Sequence, residues 1–560
     1  MKNQKATHRQ PVISTVLKIT LTSMMPFLMV ASLDAGSSVP MSSEVDWYNV
    51  DDQWSLDANL VGASFNAESD IGALTLNTSA TINEGGNWTG LQLENPLMIA
   101  FDDYGTLTLG GDLSATTDYQ GDEPVFLSGA VGFFNGGVLS GTGDISINTN
   151  VGGAPLVLAG VYSNDLGTAG DQIEADAPQF APGSLDITDY SGNITVTNDN
   201  SSGSAAVSGT DLDFSKAAIA VGIAAVESDS GLNLGTIHGA IQQQVTTTAI
   251  AHDAALTLGT GDQTPPPVLT GAIAVGVVGA LVDGIASTAT IETTATSGQS
   301  ILTNDEVDAT TVSLNLGLAV GVGGFVGGIE DGATITTTAS SGFSKATAPD
   351  AGAFANNVAL AASVIGIIDV GTEEFDDIEV DEAVASPTTI TTTATAAAST
   401  AIAGDQGEGT SEAASAALAL GVGGFAETLS NTAIISSASS GRVTATSETD
   451  AALGLSVTAA IGVLGVVGEM DQTVITSTAT SGISSADSSS STNNLEVSAT
   501  SLALAGGVIG QVGSATDLTL NVTATAGQSE VSADTSEEFS YAAADATAVA
   551  FGVSSGEFVL

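Results

Sequence analysis

Cysteine is absent from the 560 residues, which removes disulfides, thiolate metal sites and cysteine nucleophiles at once. Cations are nearly absent too. The chain carries 7 Lys and Arg against 63 Asp and Glu, for a formal net charge of −56. Four of the seven, Lys2, Lys5, Arg9 and Lys18, fall in the first eighteen residues, leaving Lys216, Lys345 and Arg442 for the body. Such a surface cannot neutralise phosphates, so nucleic acid and anionic headgroups are excluded as partners. Aromatic residues make up 4%, too few for the girdles of an outer-membrane barrel. The hydrophobic fraction of 43% overstates the core, because much of it is Ala, which buries little area per residue.

What remains is Gly, with 66 residues, and an abundance of Ala, Ser, Thr and Val. Small and β-branched side chains suit a thin interior stacked in register, not a thick globular core. A basic stretch ending at Lys18, the apolar run Ile19–Ala31 and the small residues Ser32, Ala35, Gly36 and Ser37 follow one another at the start. That layout predicts a signal peptide over residues 1–35 and hence export. Residues 36–210 are irregular but strand-like, with phrases such as Gly105-Thr106-Leu107-Thr108-Leu109 and Gly141-Thr142-Gly143-Asp144-Ile145. They are read as a bulkier capping region, because the first coil of a stack has no neighbour to cover it.

From about residue 211 the chain repeats. One element, Ala-Val-Gly or close to it, begins at Ala220, Ala274, Ala319, Ala361, Ala419, Ala460, Ala505 and Ala550. A second begins with an aliphatic residue at Val245, Ile291, Ile335, Ile390, Ile434, Ile475 and Leu520, and Ala follows four positions later every time. Repeats of about 45 residues carrying two strand-like phrases predict an all-β fold, an elongated parallel β-solenoid. Strand alternation puts the aliphatic residue and its Ala inside. The positions one, three and five residues after the aliphatic one, among them Thr336, Thr338, Ser340, Thr476, Thr478 and Thr480, then form hydroxyl ladders outside. Gly closes several of these strands, at Gly298, Gly342, Gly441, Gly482 and Gly527, where a turn with positive φ is expected. The second element due after Ala550 is not reached before Leu560, so the terminal coil is expected to present open strand edges that favour end-to-end association.

The connection after Ala361 is longer than its counterparts and holds Glu373, Glu374, Asp376, Asp377, Glu379, Asp381 and Glu382. It is read as a projecting loop, and its carboxylates make Ca²⁺ the one cofactor that the sequence suggests. Otherwise the chemistry is sparse. His238 and His252 are the histidines after the leader, and neither has a second ligand at metal spacing. No Gly-x-Ser-x-Gly elbow appears beside a strand-to-helix turn, and no Walker loop occurs. His252-Asp253 is read as a polar pair at a strand end. The protein is therefore not expected to be an enzyme.

The leader, the phrase Gly136-Gly137-Val138-Leu139-Ser140-Gly141-Thr142-Gly143-Asp144-Ile145 and the repeats of the type Thr-Ile-Thr-Thr-Thr-Ala-Ser-Ser-Gly together resemble the passenger region of autotransporter adhesins, β-helical surface proteins without the carboxy-terminal translocator barrel here. The resemblance implies a secreted or cell-surface location, associated with the outer membrane, and export through separate outer-membrane machinery. It also implies adhesion, aggregation or matrix assembly through surface glycans or proteins or through self-association. An ice-binding protein using Thr ladders is the alternative, against which Ser436, Ser477 and Val522 read as breaks in the Thr pattern. A carbohydrate-active enzyme on a β-helix is a further alternative, disfavoured by the shortage of Lys and Arg.

Overall fold

A computed structural model describes residues 60–61, 73–76, 80–83, 99–101, 105–117, 125–134, 136–149, 156–165, 183–199, 217–227, 233–258, 267–304, 310–348, 351–370, 387–404, 409–448, 451–489, 495–533 and 540–554. The leader and the acidic segment from Glu373 to Glu382 lie outside them.

Every described element is a strand, and the strands form sheets of 12, 17 and 7 members. One coil of the repeat region takes one strand from each. Thr334–Ser341 runs in the 12-stranded sheet and Ser344–Ala348 in the 7-stranded one; the long Ala353–Val370 then returns in the 17-stranded sheet. Coils stack in parallel. Val245 pairs with Ile291, Ile291 with Ile335, and so on through Ile390, Ile434 and Ile475 to Leu520. The Ala-Val-Gly elements align equally, from Ala220 through Ala274, Ala319, Ala361, Ala419, Ala460 and Ala505 to Ala550. The protein is thus an all-β parallel solenoid. The strands of the 12-stranded sheet, at about 4.8 Å spacing, span roughly 53 Å along the axis.

The irregular region belongs to the same stack. Leu156–Asp165 pairs in parallel with Ala217–Glu227, and Ile194–Asp199 with Gln244–Ile250. The change of texture near residue 210 is a change in side chains. It does not break the sheets. Bulkier residues fill this end, with Tyr162, Tyr190 and Phe133 the largest fully buried side chains. The buried Tyr190 hydroxyl donates to the Gly143 carbonyl at 3.0 Å.

The interior is narrow for a specific reason. The Gly of the Ala-Val-Gly element points inward from the long strand and, at Gly222, Gly276, Gly321, Gly421 and Gly462, faces the hydroxyl two residues after the aliphatic position of the opposing sheet. A Cβ at Gly276 would lie 2.7 Å from Thr293 Oγ1, and one at Gly321 would lie 2.6 Å from Thr337 Oγ1. Where this column holds Ser363 instead, its hydroxyl meets Thr392 Oγ1 at 2.6 Å and donates to the Thr391 carbonyl at 3.0 Å.

The expected positive φ at the strand-closing glycines is corrected. Gly298, Gly342, Gly441, Gly482 and Gly527 do not adopt it. They are needed because the corners stack tightly: a Cβ on Gly342 would sit 2.2 Å from the Gly298 carbonyl oxygen. Positive φ falls instead within the long strands, at the aligned residues Gly324, Gly366, Gly424, Gly465 and Gly510. Here the chain uses the left-handed region open to Gly.

Candidate interaction surface

Alternation sets the outer face of the 12-stranded sheet. In Thr334–Ser341 the side chains of Ile335, Thr337, Ala339 and Ser341 are buried, while Thr336, Thr338 and Ser340 face out. Thr476 and Thr478 are partly exposed in the same way and Thr480 is exposed. The structure therefore brings all five threonines expected on the interaction face, Thr336, Thr338, Thr476, Thr478 and Thr480, onto one surface.

Register extends that surface across the stack. The column through Thr338 runs Thr197, Thr248, Thr294, Thr338, Thr393, Ser437, Thr478 and Thr523, a hydroxyl on each of eight coils. The column two residues further on runs Thr296, Ser340, Thr395, Ser439, Thr480 and Thr525. The column through Thr336 is mixed, with Glu292, Ile435 and Asn521 interrupting Thr246, Thr391 and Thr476. Strand spacing places hydroxyls about 4.8 Å apart along a column and columns about 7 Å apart. Each hydroxyl offers one donor and two acceptor sites. Contacts along the ladder use some of that capacity: Ser340 Oγ donates to Thr296 Oγ1 at 3.1 Å.

Ser436, Ser477 and Val522 do not interrupt this array. They pair with one another in an inward-facing column, and Ser436 and Ser477 are buried. Period-two counting from Ile434 or Ile475 assigns them inside, together with Thr247, Thr293, Thr337 and Thr392, all buried. The 7-stranded sheet, not marked by the repeat pattern of the sequence, adds the outward positions Thr400, Thr444 and Thr446, which continue the hydroxyls around the corner. Five-residue strands with alternating Thr carry too short a pattern to separate from a loop.

Carboxylates serve the corners and, at Gly239, a register shift between strands. Asp253 Oδ1 accepts from Gln299 N at 2.7 Å, Asp283 Oδ2 from Gly239 N at 2.9 Å, and Glu330 Oε2 from Ser287 N at 2.9 Å. Each closes a backbone donor one coil away that no strand partner reaches. His252 is buried, with Nδ1 2.8 Å from the Asp253 carbonyl oxygen, and the Asp253 side chain is committed to Gln299. The two side chains are engaged separately. Among the described residues no three His, Asp or Glu gather as a metal site; the candidate Ca²⁺ ligands Glu373, Glu374, Asp376, Asp377, Glu379 and Asp381 lie outside those residues.

Fold and surface define a parallel β-solenoid repeat protein with a hydroxyl-bearing sheet. No family model, curated protein or solved structure matches the chain.

Proposed function

We propose that this chain is an exported structural and adhesive scaffold, acting at a cell surface or outside the cell, whose hydroxyl-bearing sheet engages polar polymers such as surface glycans. The observation that carries the reading is the column from Thr197 to Thr523, a hydroxyl in register on eight successive coils. A periodic array of donors and acceptors without cations suits an uncharged polyhydroxylated chain better than an anionic one. The signal-like leader supports export.

The test is capture of the purified protein by immobilised neutral polysaccharides and by whole bacterial cells. Replacing Thr338, Thr393 and Thr478 together by Val keeps shape and β propensity while removing three donors from one column. We expect capture to fall by about tenfold or more, the loss that follows from roughly 1.4 kcal/mol of contact energy. Undiminished capture by the triple variant, or no capture by the native chain, would sink the proposal.

Ice binding is a second reading, favoured by the paired hydroxyls at Thr294 and Thr296, Thr338 and Ser340, Thr393 and Thr395, Ser437 and Ser439, Thr478 and Thr480, and Thr523 and Thr525. It ranks lower because Glu292 and Ile435 break the adjoining column. Thermal hysteresis that the same triple variant abolishes would promote it above the first.

A further inference from the structure

The opposite side of the solenoid carries a different surface. In six successive long strands, Val268–Ile285, Thr311–Ile329, Ala353–Val370, Ser411–Ser430, Ala452–Asp471 and Leu495–Thr516, the stretch in register between Leu269 and Leu281 holds no charged residue. This is a field without charge on a chain of net charge −56. Outward positions here are mostly Leu, Ile, Val and Ala, with Asn356, Thr500 and Gln511 as uncharged polar exceptions, in place of the Thr found on the other sheet. Ile273, Leu318 and Val320 shield one another to 7–8% exposure, forming an apolar cluster outside the core. Beside the positive-φ glycines Gly324, Gly366, Gly424 and Gly465 the shielding ends: Phe325 and Phe425 are 43% exposed, Leu464 and Val466 40%, and Ile365 38%.

Six strands at about 4.8 Å and twelve residues at about 3.3 Å make a field of roughly 900 Å². The largest apolar patch on an ordinary monomer is about 300–600 Å², whereas a stable complex covers about 800 Å² on each partner. Relief is built in as well. Phe325 and Phe425 occupy one column, two coils apart, with Ile367 between them. Beside Phe325, a Cβ at Gly323 would meet only Val278 and Val320 side chains, at 3.6 and 3.9 Å, so a hollow adjoins the ridge.

We infer that this face pairs with the same face of a second copy of the chain. A two-fold axis along the strands, through the coil of Ile365, would set the Phe325 ridge and Gly323 hollow of one copy against the Phe425 coil of the other. Such a contact is isologous and closed. It buries no charge, the costliest thing an interface can hide unpaired. A lipid surface is the weaker occupant: the six strands contain no Lys, Arg, Trp or Tyr, the residues that anchor proteins at a bilayer interface. Pairing here leaves the hydroxyl sheets facing outward on both sides of the dimer. It stands independently of what those sheets bind, because its failure would appear in molecular mass and theirs in capture.

Analytical ultracentrifugation of the full chain over a concentration series, at roughly 0.15 M and about 1 M NaCl, tests the inference. A monomer–dimer equilibrium is expected, tighter at the higher salt as repulsion between the acidic bodies is screened. Replacing Phe325 and Phe425 together by Ser should weaken it about tenfold or more, as loss of central aromatic anchors does. Gly323→Val, which fills the hollow without touching backbone, should weaken it likewise. The cysteine-free chain permits a spin label at Ile365→Cys in an otherwise native protein. On the axis, paired labels should lie on the order of 10–20 Å apart, given sheets packed about 10 Å apart. The inference fails if the native chain stays monomeric in high salt, or if well-folded variants dimerise undiminished, which would put the contact elsewhere, for instance at strand edges. Distant labels in a dimer, or a monomer that binds neutral phosphatidylcholine vesicles instead, would overturn it equally.

Discussion

A Cβ added at Gly321 would lie 2.6 Å from both the Ser363 carbonyl oxygen and Thr337 Oγ1, so one missing methyl group sets the thickness of the molecule there. Gly321→Val is expected to lower stability by about 1–3 kcal/mol or more through overpacking. Gly321→Ser should cost less, because the next coil already accommodates Ser363 by hydrogen bonding to Thr392. Urea midpoints of the two variants would check the order. Glu412 behaves differently. It lies on the outer side of its long strand, in register between Phe354 and Leu453, and burial pushes its carboxyl above the usual glutamate value. A raised pKa means that the folded state holds the proton at pH values where the unfolded chain has released it. Folding stability contributed by this group therefore falls as pH rises out of the glutamate range and stays low at neutrality. Glu412→Gln should raise the thermal midpoint at neutral pH and lose that advantage in acid; a midpoint unchanged at every pH would contradict the assignment.

At the scale of elements, the coil corners depend on a buried polar ladder. Thr270, Asn315, Asn357, Ser415, Ser456 and Ser501 follow one another in register along the inner side of the long sheet, all buried. Asn315 Nδ2 donates to the carbonyls of Gly342 and Phe343 at 2.8 Å and to Asn357 Oδ1 at 2.9 Å. Further along, Ser456 Oγ accepts from Gly482 N at 3.0 Å and Ser501 Oγ donates to the Gly482 carbonyl at 3.0 Å. The ladder thus supplies the partners that the corner backbone lacks. Asn315→Ala should cost roughly 1–3 kcal/mol, the penalty for stranding buried acceptors. Asn315→Ser should cost less, since Ser holds the same column in later coils. Hydrogen exchange at the adjoining corner amides would report the difference. The two strand elements of each repeat were legible from the Ala and Ile spacings. The ladder was not, because Asn and Ser are expected at surface turns and only the returning long strand encloses them.

Across the whole molecule, stacking makes stability close to a sum over coils and their interfaces. Deleting residues 335–389 would join Thr334 to Ile390 in the register that now holds Ile335. Such a chain should stay folded with unchanged β content per residue, and its scattering dimension along the axis should shrink by about 4.8 Å. Unfolding of that deletion would show that the coils are not interchangeable. The acidity takes on a partial structural meaning at this scale, since Asp253, Asp283 and Glu330 bridge neighbouring coils by accepting backbone hydrogen bonds. Few cations are needed to balance charges held at the rim, where water solvates them.

By itself the sequence determined the parallel stacked fold, its period, the buried Ile and Ala columns and the outward threonines, because a two-residue alternation and a 45-residue repeat are local properties that neighbouring copies enforce. Only the tertiary structure decided two things. The corner glycines serve close stacking, and an uncharged face rich in Leu, Ile, Val and Phe lies opposite the hydroxyl one. An apolar strand residue reads the same whether it points to the core or to solvent. The answer depends on where the two other sheets sit, and that is fixed only when the coil closes.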